Sequence, residues 1–257
     1  MADIVYPPVI WTSLTSFRAL DLRLRVEGAE HVPKAGGAVL AANHVSYLDF
    51  IFAGFAARPA GRLVRFMAKK EVFDHKISGP LMRAMHHIPV DRSAGAAAYD
   101  HAVRALRGGE IVGVFPEATI SRSFTVKDMK SGAVRMAASA GVPLIPVALW
   151  GTQRLWSKGC PRNLLQRHVP IAIVVGEPTF PQADDDPAAL TAELRVRLSA
   201  MLDQAQRAYP DIRPGAWWQP VHLGGTAPTP EEAAALDTAE IEARRTRRGA
   251  GHDTPPE

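Results

Sequence analysis

The sequence predicts an α/β fold: one domain over residues 22–222, with a mixed, mostly parallel sheet flanked by helices. Three observations carry that expectation. Segments with the two-residue period of strands alternate along the chain with segments of helical period. Residues 38–42 and 111–115 are continuous apolar runs, the pattern of strands buried on both faces, as in parallel sheets. The chain has 257 residues, 47% hydrophobic and 22% charged, which supplies one full-sized core and is too apolar for a disordered chain.

The first 21 residues form a separate amphipathic segment. Ile10, Leu14, Phe17 and Leu20 recur at helical spacing, with Trp11 beside them and Arg18 on another face. Such a helix either docks on the core or lies in a membrane interface with its Trp at headgroup depth. Leu22, Leu24 and Val26 alternate with Arg23, Arg25 and Glu27, as in a half-exposed strand. Gly36 and Gly37 turn the chain into strand 38–42, which runs straight into Asn43 and His44. A very apolar helix follows from Ser46, through Phe50, Ile51, Phe52 and Phe55. Residues 64–68 form a strand, and 95–107 a helix with Tyr99, Val103 and Leu106 on one face, stopped by Gly108 and Gly109. After strand 111–115 come a helix over 131–140 closed by Gly141, strands over 144–150 and 171–175, and a helix opened by Pro187. Beyond residue 222 the composition shifts to Gly, Pro, Thr and charge. Residues 231–248 hold only Leu236 and Ile241 as large apolar side chains, so residues 223–257 are expected to be a flexible charged tail or an exposed helix.

Composition narrows the function classes. Thirty Lys and Arg against 26 Asp and Glu suit an anionic partner: nucleic acid, a phospholipid surface or a phosphorylated substrate. No ladder of basic and aromatic residues accompanies that charge, so nucleic acid is not the expected partner. The one cysteine, Cys160, excludes a disulfide framework and a two-Cys zinc site, which fits a reducing compartment. No run of about eighteen apolar residues exists, and no secretory signal pattern, so a membrane is expected to be met from its surface.

The segment Asn43-His44-Val45-Ser46-Tyr47-Leu48-Asp49 places a His and an Asp five residues apart at a strand-to-helix junction. A sharp turn brings such a carboxylate to one imidazole nitrogen and leaves the other as a general base. The plainer alternative is a helix cap, since Ser46 followed by Asp49 resembles a capping box. Phe115-Pro116-Glu117-Ala118-Thr119 follows a buried strand, where ligands settle in open α/β sheets. Glu117 there can accept from substrate hydroxyls, and Arg122, Lys127 and Lys130 can hold a phosphate, or the segment is a solvated charged loop. Arg92, in Ile88-Pro89-Val90-Asp91-Arg92, is a candidate for bidentate phosphate binding or a simple partner of Asp91. Val142-Pro143-Leu144-Ile145-Pro146 has no polar group, so its role is shape: plain core, or the wall of an acyl pocket.

Taken in order with Ala68-Lys69-Lys70-Glu71, these segments resemble the four blocks of the lysophospholipid acyltransferase family, which includes the 1-acylglycerol-3-phosphate acyltransferases. The resemblance covers residues 22–176. It implies the glycerolipid acyltransferase fold over 22–222, with His44 as base and Asp49 as its partner. It implies that Arg92, Glu117 and Thr119 hold the glycerol phosphate moiety, with Arg122, Lys70 and Lys130 as further substrate-binding candidates. The proline-flanked strand would belong to the acyl-binding region. The implied donor is acyl-CoA or acyl-carrier protein, the acceptor a lysophospholipid of the lysophosphatidic acid type, and the setting the cytoplasmic face of a membrane. No metal or cofactor is implied. One departure stands out. The third block usually reads Phe-Pro-Glu-Gly-Thr-Arg; here Ala118 replaces the Gly, Ile120 follows the Thr, and the nearest Arg is Arg122.

Alternatives remain open at this level. Glycerol 3-phosphate or a head-group-bearing lysolipid are possible acceptors. A hydrolase would use the same pair on water, and a non-catalytic lipid binder would keep only the fold. No Gly-x-Ser-x-Gly elbow exists and Cys160 lies outside every block, so direct attack on the thioester is expected, without a covalent enzyme intermediate.

Overall fold

The computed structural model describes residues 3–91 and 95–250. Among these, β1 (Arg23–Glu27), β2 (Ala38–Ala42), β3 (Val64–Lys69), β4 (Ile88–Val90), β5 (Ile111–Val114), β6 (Leu144–Trp150) and β7 (Pro170–Val175) form one sheet. Their order is β1-β7-β6-β2-β5-β3-β4. The strands β6, β2, β5, β3 and β4 are all parallel neighbours, whereas β7 is antiparallel to β6 and parallel to β1. The sheet is thus mixed and mostly parallel, as the sequence predicts. Its consequence is positional: the chain leaves β2, β3, β4, β5 and β6 at the same edge, so the conspicuous sequence segments converge there.

Every residue of β2, β5 and β6 is buried, which accounts for their unbroken apolar runs. The two-residue strand period sorts β2 between layers. Ala38, Leu40 and Ala42 join one apolar cluster, with α1 (Tyr6–Ala19) and α2 (Asp49–Ala56) packed on it. Val39 and Ala41 join the cluster on the opposite face, covered by α5 (Gly95–Arg107), α6 (Gly132–Ala140) and α7 (Pro187–Arg207). The helical period does the same for α1. Ile10, Leu14 and Phe17 face the core, and Phe17 stacks on Phe52 with ring centroids 4.9 Å apart. Burying a side chain such as Phe52 is worth roughly 1.5–3 kcal/mol. Trp11 lies on the other side of α1 and is exposed. The helix therefore docks on the core and presents its Trp outward.

Two short helices, α3 (Lys70–Asp74) and α4 (Ser78–Ala84), have no counterpart in the sequence reading. The apolar helix expected from Ser46 begins at Asp49, because residues 44–48 are held in a turn described below. Residues 230–250, read as an exposed helix or a flexible tail, form the helix α8 (Pro230–Ala250), on which Ala233 is buried while Leu236 and Ile241 are exposed.

Gly113 in central strand β5 has a packing reason. A Cβ there would lie 2.4 Å from the ring of Phe66, so only glycine lets that ring lie flat on the strand. Phe66 in turn stacks on Phe115, at the edge where the conspicuous sequence segments meet.

His87 closes the same layer. Its Nδ1 accepts from the backbone N–H of Phe66 at 3.0 Å, so the ring is neutral in the fold. Burial, and then the charge of Arg65, lower its pKa from 6.5 to about 4. A base whose folded pKa is depressed adds stability that is present above its unfolded pKa and is lost as pH falls. Between pH 6.5 and 4 this group should therefore remove about 3 kcal/mol of stability. Denaturant midpoints measured across that window should fall more steeply for the wild type than for His87→Gln, which keeps an acceptor for Phe66 but does not titrate. Parallel slopes would refute the assignment.

Candidate active site

The site begins where β2 ends. The carboxamide of Asn43 takes over the ladder: its Nδ2 donates to the carbonyl of Leu149 at 3.1 Å, and the Leu149 N–H donates to its Oδ1 at 2.6 Å. With a side chain supplying the last rung, the backbone from residue 44 is free to curl. Asp49 defines the curl. Its Oδ2 accepts from the N–H groups of Val45 and Ser46, both at 2.7 Å, and lies 2.9 Å from Nδ1 of His44. Its Oδ1 accepts from the hydroxyl of Thr152 at 2.6 Å. The backbone bonds are those of a helix cap, and the imidazole contact is that of a dyad; one fully buried carboxylate does both.

All of Asp49's other partners are donors, so Nδ1 of His44 carries the ring proton and Nε2 the lone pair. Nε2 has no hydrogen-bond partner among the described residues, and the imidazole is 20% exposed. Its ring stacks on Phe115 with centroids 4.3 Å apart, which fixes its plane. The turn itself is gripped from the loop after β6. Ser46 Oγ donates to the carbonyl of Trp156 (2.6 Å), Tyr47 N–H to the same carbonyl (3.2 Å), and Ser157 Oγ to the carbonyl of Val45 (2.6 Å).

Glu117 corrects an expectation. It is buried and does not face substrate hydroxyls: Oε1 accepts from the N–H of His44 at 2.8 Å, and Oε2 from the N–H of Lys127 at 2.9 Å. It braces the loop after β5 against the His44 turn, and the Ser121 N–H completes the brace on the carbonyl of His44 at 2.7 Å. Burial pushes the Glu117 carboxyl up to about 7, against the downward pull of those two N–H bonds. Ala118 has φ of +61°, the left-handed region, which explains why the family's pattern has Gly there. Its methyl group costs this chain about 1–2 kcal/mol of local strain.

The remaining candidates divide. Thr119 and Lys130 line the same cavity as His44. Lys127 donates to Thr119 Oγ1 at 2.8 Å. Arg122 does not line that cavity; it pairs with Asp237 and Glu240 of α8 at 3.1 and 2.9 Å. Lys70 also lies outside the cavity, exposed, 3.3 Å from Asp91. Arg92 lies outside the described residues. The strand β6, with its Pro-flanked start, is fully buried and does not wall the cavity, so it acts as core rather than as acyl contact. The sequence reading missed Thr152, Ser157 and Lys158. Their partners lie about a hundred residues away or on α8, and nothing local marks them.

The cavity measures about 1070 Å³, at the upper end of small-ligand pockets of roughly 300–1,000 Å³. Most of its wall is apolar, with Ile10 and Ile51 from α1 and α2, and Met67, Met82 and Met85 further along. Its polar lining includes His44, Thr119, Lys130 and Lys158, together with Arg58, Arg62, Lys69 and His87. A long apolar chain and a negatively charged group would both find partners there.

Comparison with known proteins agrees with this geometry. A family model described as Acyltransferase matches residues 23–150. A 1-acyl-sn-glycerol-3-phosphate acyltransferase of Bacillus subtilis (strain 168) is 32% identical over 201 residues, covering 72% of this chain and 94% of the relative. One from Limnanthes douglasii is 36% identical over 154 residues, covering 58% of this chain and about half (52%) of the plant protein. The crystal structure of the 1-acyl-sn-glycerophosphate (LPA) acyltransferase PlsC from Thermotoga maritima shares the fold, with a TM-score of 0.64 over 80% of this chain and 81% of that one, at 24% identity. The blocks in order, their convergence at one sheet edge and the length of the Bacillus match together establish that this chain belongs to the PlsC-like acyltransferase family.

Proposed function

We propose that this acyltransferase moves a fatty acyl chain from an acyl-CoA or acyl-carrier-protein thioester to the free hydroxyl of a lysophosphatidic acid-type acceptor. The observation that carries the proposal is the His44–Asp49 contact, with Nε2 free of a partner among the described residues, on a cavity that is apolar over most of its wall and includes cations in its lining. In the reaction, Nε2 takes the proton of the acceptor hydroxyl as its oxygen attacks the thioester carbonyl. The new C–O bond forms, the C–S bond breaks, and the imidazolium returns its proton to the leaving thiolate. Asp49 steadies the imidazolium in between. The thioester is already activated, so neither a metal nor an enzyme-bound acyl group is required. Lys130 and Lys158 line the cavity where an acceptor phosphate is proposed to sit.

The proposed setting is the cytoplasmic surface of a membrane. Among the described residues no helix is long and apolar enough to cross one. Trp11 of α1 and Ile77 beside α4 are exposed, and the part-exposed Val72 and Leu81 line the cavity, so its rim is itself apolar.

The test incubates purified protein with labelled acyl-CoA and acyl-carrier protein against lysophosphatidic acid, glycerol 3-phosphate, a choline lysolipid and monoacylglycerol. The expected product is phosphatidic acid, formed at least about tenfold faster than any other acyl ester. Preferred acylation of another acceptor would refute the acceptor assignment, and release of free fatty acid alone would refute transfer.

A further inference from the structure

We propose that Arg122, Lys127 and Lys158 form a phosphate-binding site occupied by two carboxylates of the chain's own α8, and that a substrate's phosphate enters by displacing this helix. The inference rests on the reading of a phosphate-bearing substrate given above.

The three cations come from two loops, those following β5 and β6, and converge on one point. Asp237 lies at that point. Its Oδ1 accepts from Arg122 Nε at 3.1 Å and Lys158 Nζ at 2.7 Å, and its Oδ2 from Lys127 Nζ at 2.6 Å. Glu240, one helical turn on, accepts from Arg122 Nη2 at 2.9 Å and sits 2.8 Å from Lys158 Nζ. Among the described residues, the side-chain ion pairs of the three cations all go to α8, although Glu117 also lies near enough to Lys127 to feel its charge. Three positive side chains around one carboxylate make the kind of donor set that recognises a tetrahedral oxyanion.

The cluster borders the catalytic cavity. Lys158 lines it, and Lys127 donates to Thr119, which lines it as well. A phosphate held by these cations would therefore lie beside the space reached by His44. Burial pulls the Asp237 carboxyl up, but the bonds from Lys127, Lys158 and Arg122 outweigh it and bring the pKa down to about 2. Asp237 thus stays an anion at every ordinary pH, and another anion offered to the same cations competes with it.

The docking of the helix is mainly electrostatic. Ala233 is buried, but the large apolar residues Leu236 and Ile241 are exposed, so hydrophobic burial contributes little to docking. A largely buried network of ion pairs carries the rest, so an anion that competes for the same three cations competes with the docking itself.

Hydrogen exchange on the full wild-type chain tests release directly. Amides of residues 230–243 should exchange at least about tenfold faster with lysophosphatidic acid or millimolar inorganic phosphate. Monoacylglycerol, which lacks the phosphate, should leave them unchanged. A parallel arm with CoA separates the two sources: acceleration by CoA and not by lysophosphatidic acid assigns the site to the donor's phosphates. The full-length double variant Asp237→Asn/Glu240→Gln should bind inorganic phosphate several-fold more tightly by calorimetry. It should also lower the KM of the phosphate-bearing substrate several-fold with kcat unchanged. Unaltered α8 exchange with every phosphate, or a double variant with wild-type phosphate affinity, overturns the proposal. Exchange and calorimetry need no turnover. If α8 is released but no phosphatidic acid forms, the acceptor assignment fails and the anion site stands.

Discussion

His44→Ala lowers kcat by at least about 10²-fold in single-turnover acyl transfer, with the fold intact. General base catalysis by a positioned side chain is typically worth about 10²- to 10⁴-fold. The fold survives because the structural bonds of this residue are made by its backbone. Its N–H donates to Glu117 and its carbonyl accepts from Ser121, and both persist in the variant. What is lost is a part-exposed ring stacked on Phe115 and its hydrogen bond to Asp49, whose Oδ2 keeps the N–H donors of Val45 and Ser46. Thermal unfolding should therefore shift by only a few degrees, and acceptor KM should change less than kcat. A folded variant with near wild-type transfer would remove His44 from the chemistry.

Asp49→Asn is the sharper experiment, because the hydrogen bonds predict how the amide will sit. The oxygen at the Oδ2 position faces three donors, from His44, Val45 and Ser46, so the amide oxygen must take that place. The amide nitrogen then faces the hydroxyl of Thr152, which can turn round and accept. Shape, turn and imidazole tautomer are kept, and only the negative charge is gone. The expected result is a loss of about 10²- to 10⁴-fold in kcat with stability changed by no more than about 1–2 kcal/mol. Steady-state kinetics and denaturant melts on the same preparation check it. Loss of stability in proportion to activity would mean that Asp49 serves only as a cap.

The strands and the long helices were legible because each carries its own period. Leu40 and Val39 point to opposite faces as strand alternation requires, and Leu194 and Leu198 face inward as a helix requires. The His44–Asp49 pair was legible for the same local reason, since a five-residue turn brings together its own ends. Short elements were not. Three residues of β4 and five of α3 carry too little period to stand out, and α4 includes Gly79 and Pro80, which read as loop. The partners of the turn were invisible for another reason. Thr152 is an ordinary polar residue until the sheet places it under Asp49, and its partner is 103 positions away. Glu117 was misread because an acid beside a catalytic turn suggests a ligand contact, whereas two backbone N–H groups already occupy it. Arg122 was read toward substrate; that carboxylates of a helix more than a hundred positions later pair with it had no local sign in the sequence.

The grip of the loop after β6 on the His44 turn has a consequence for biosynthesis. Asn43, Val45, Ser46 and Asp49 take partners at Leu149, Ser157, Trp156 and Thr152, separations of 103 to 112 positions. Contacts this distant are late events as a chain matures. A ribosome that has translated the whole His–Asp motif has made no working dyad; it must add more than a hundred further amino acids, and bring them clear of the exit tunnel, before the imidazole finds its final pose. The geometry of the His44 turn thus waits until the central sheet is nearly complete.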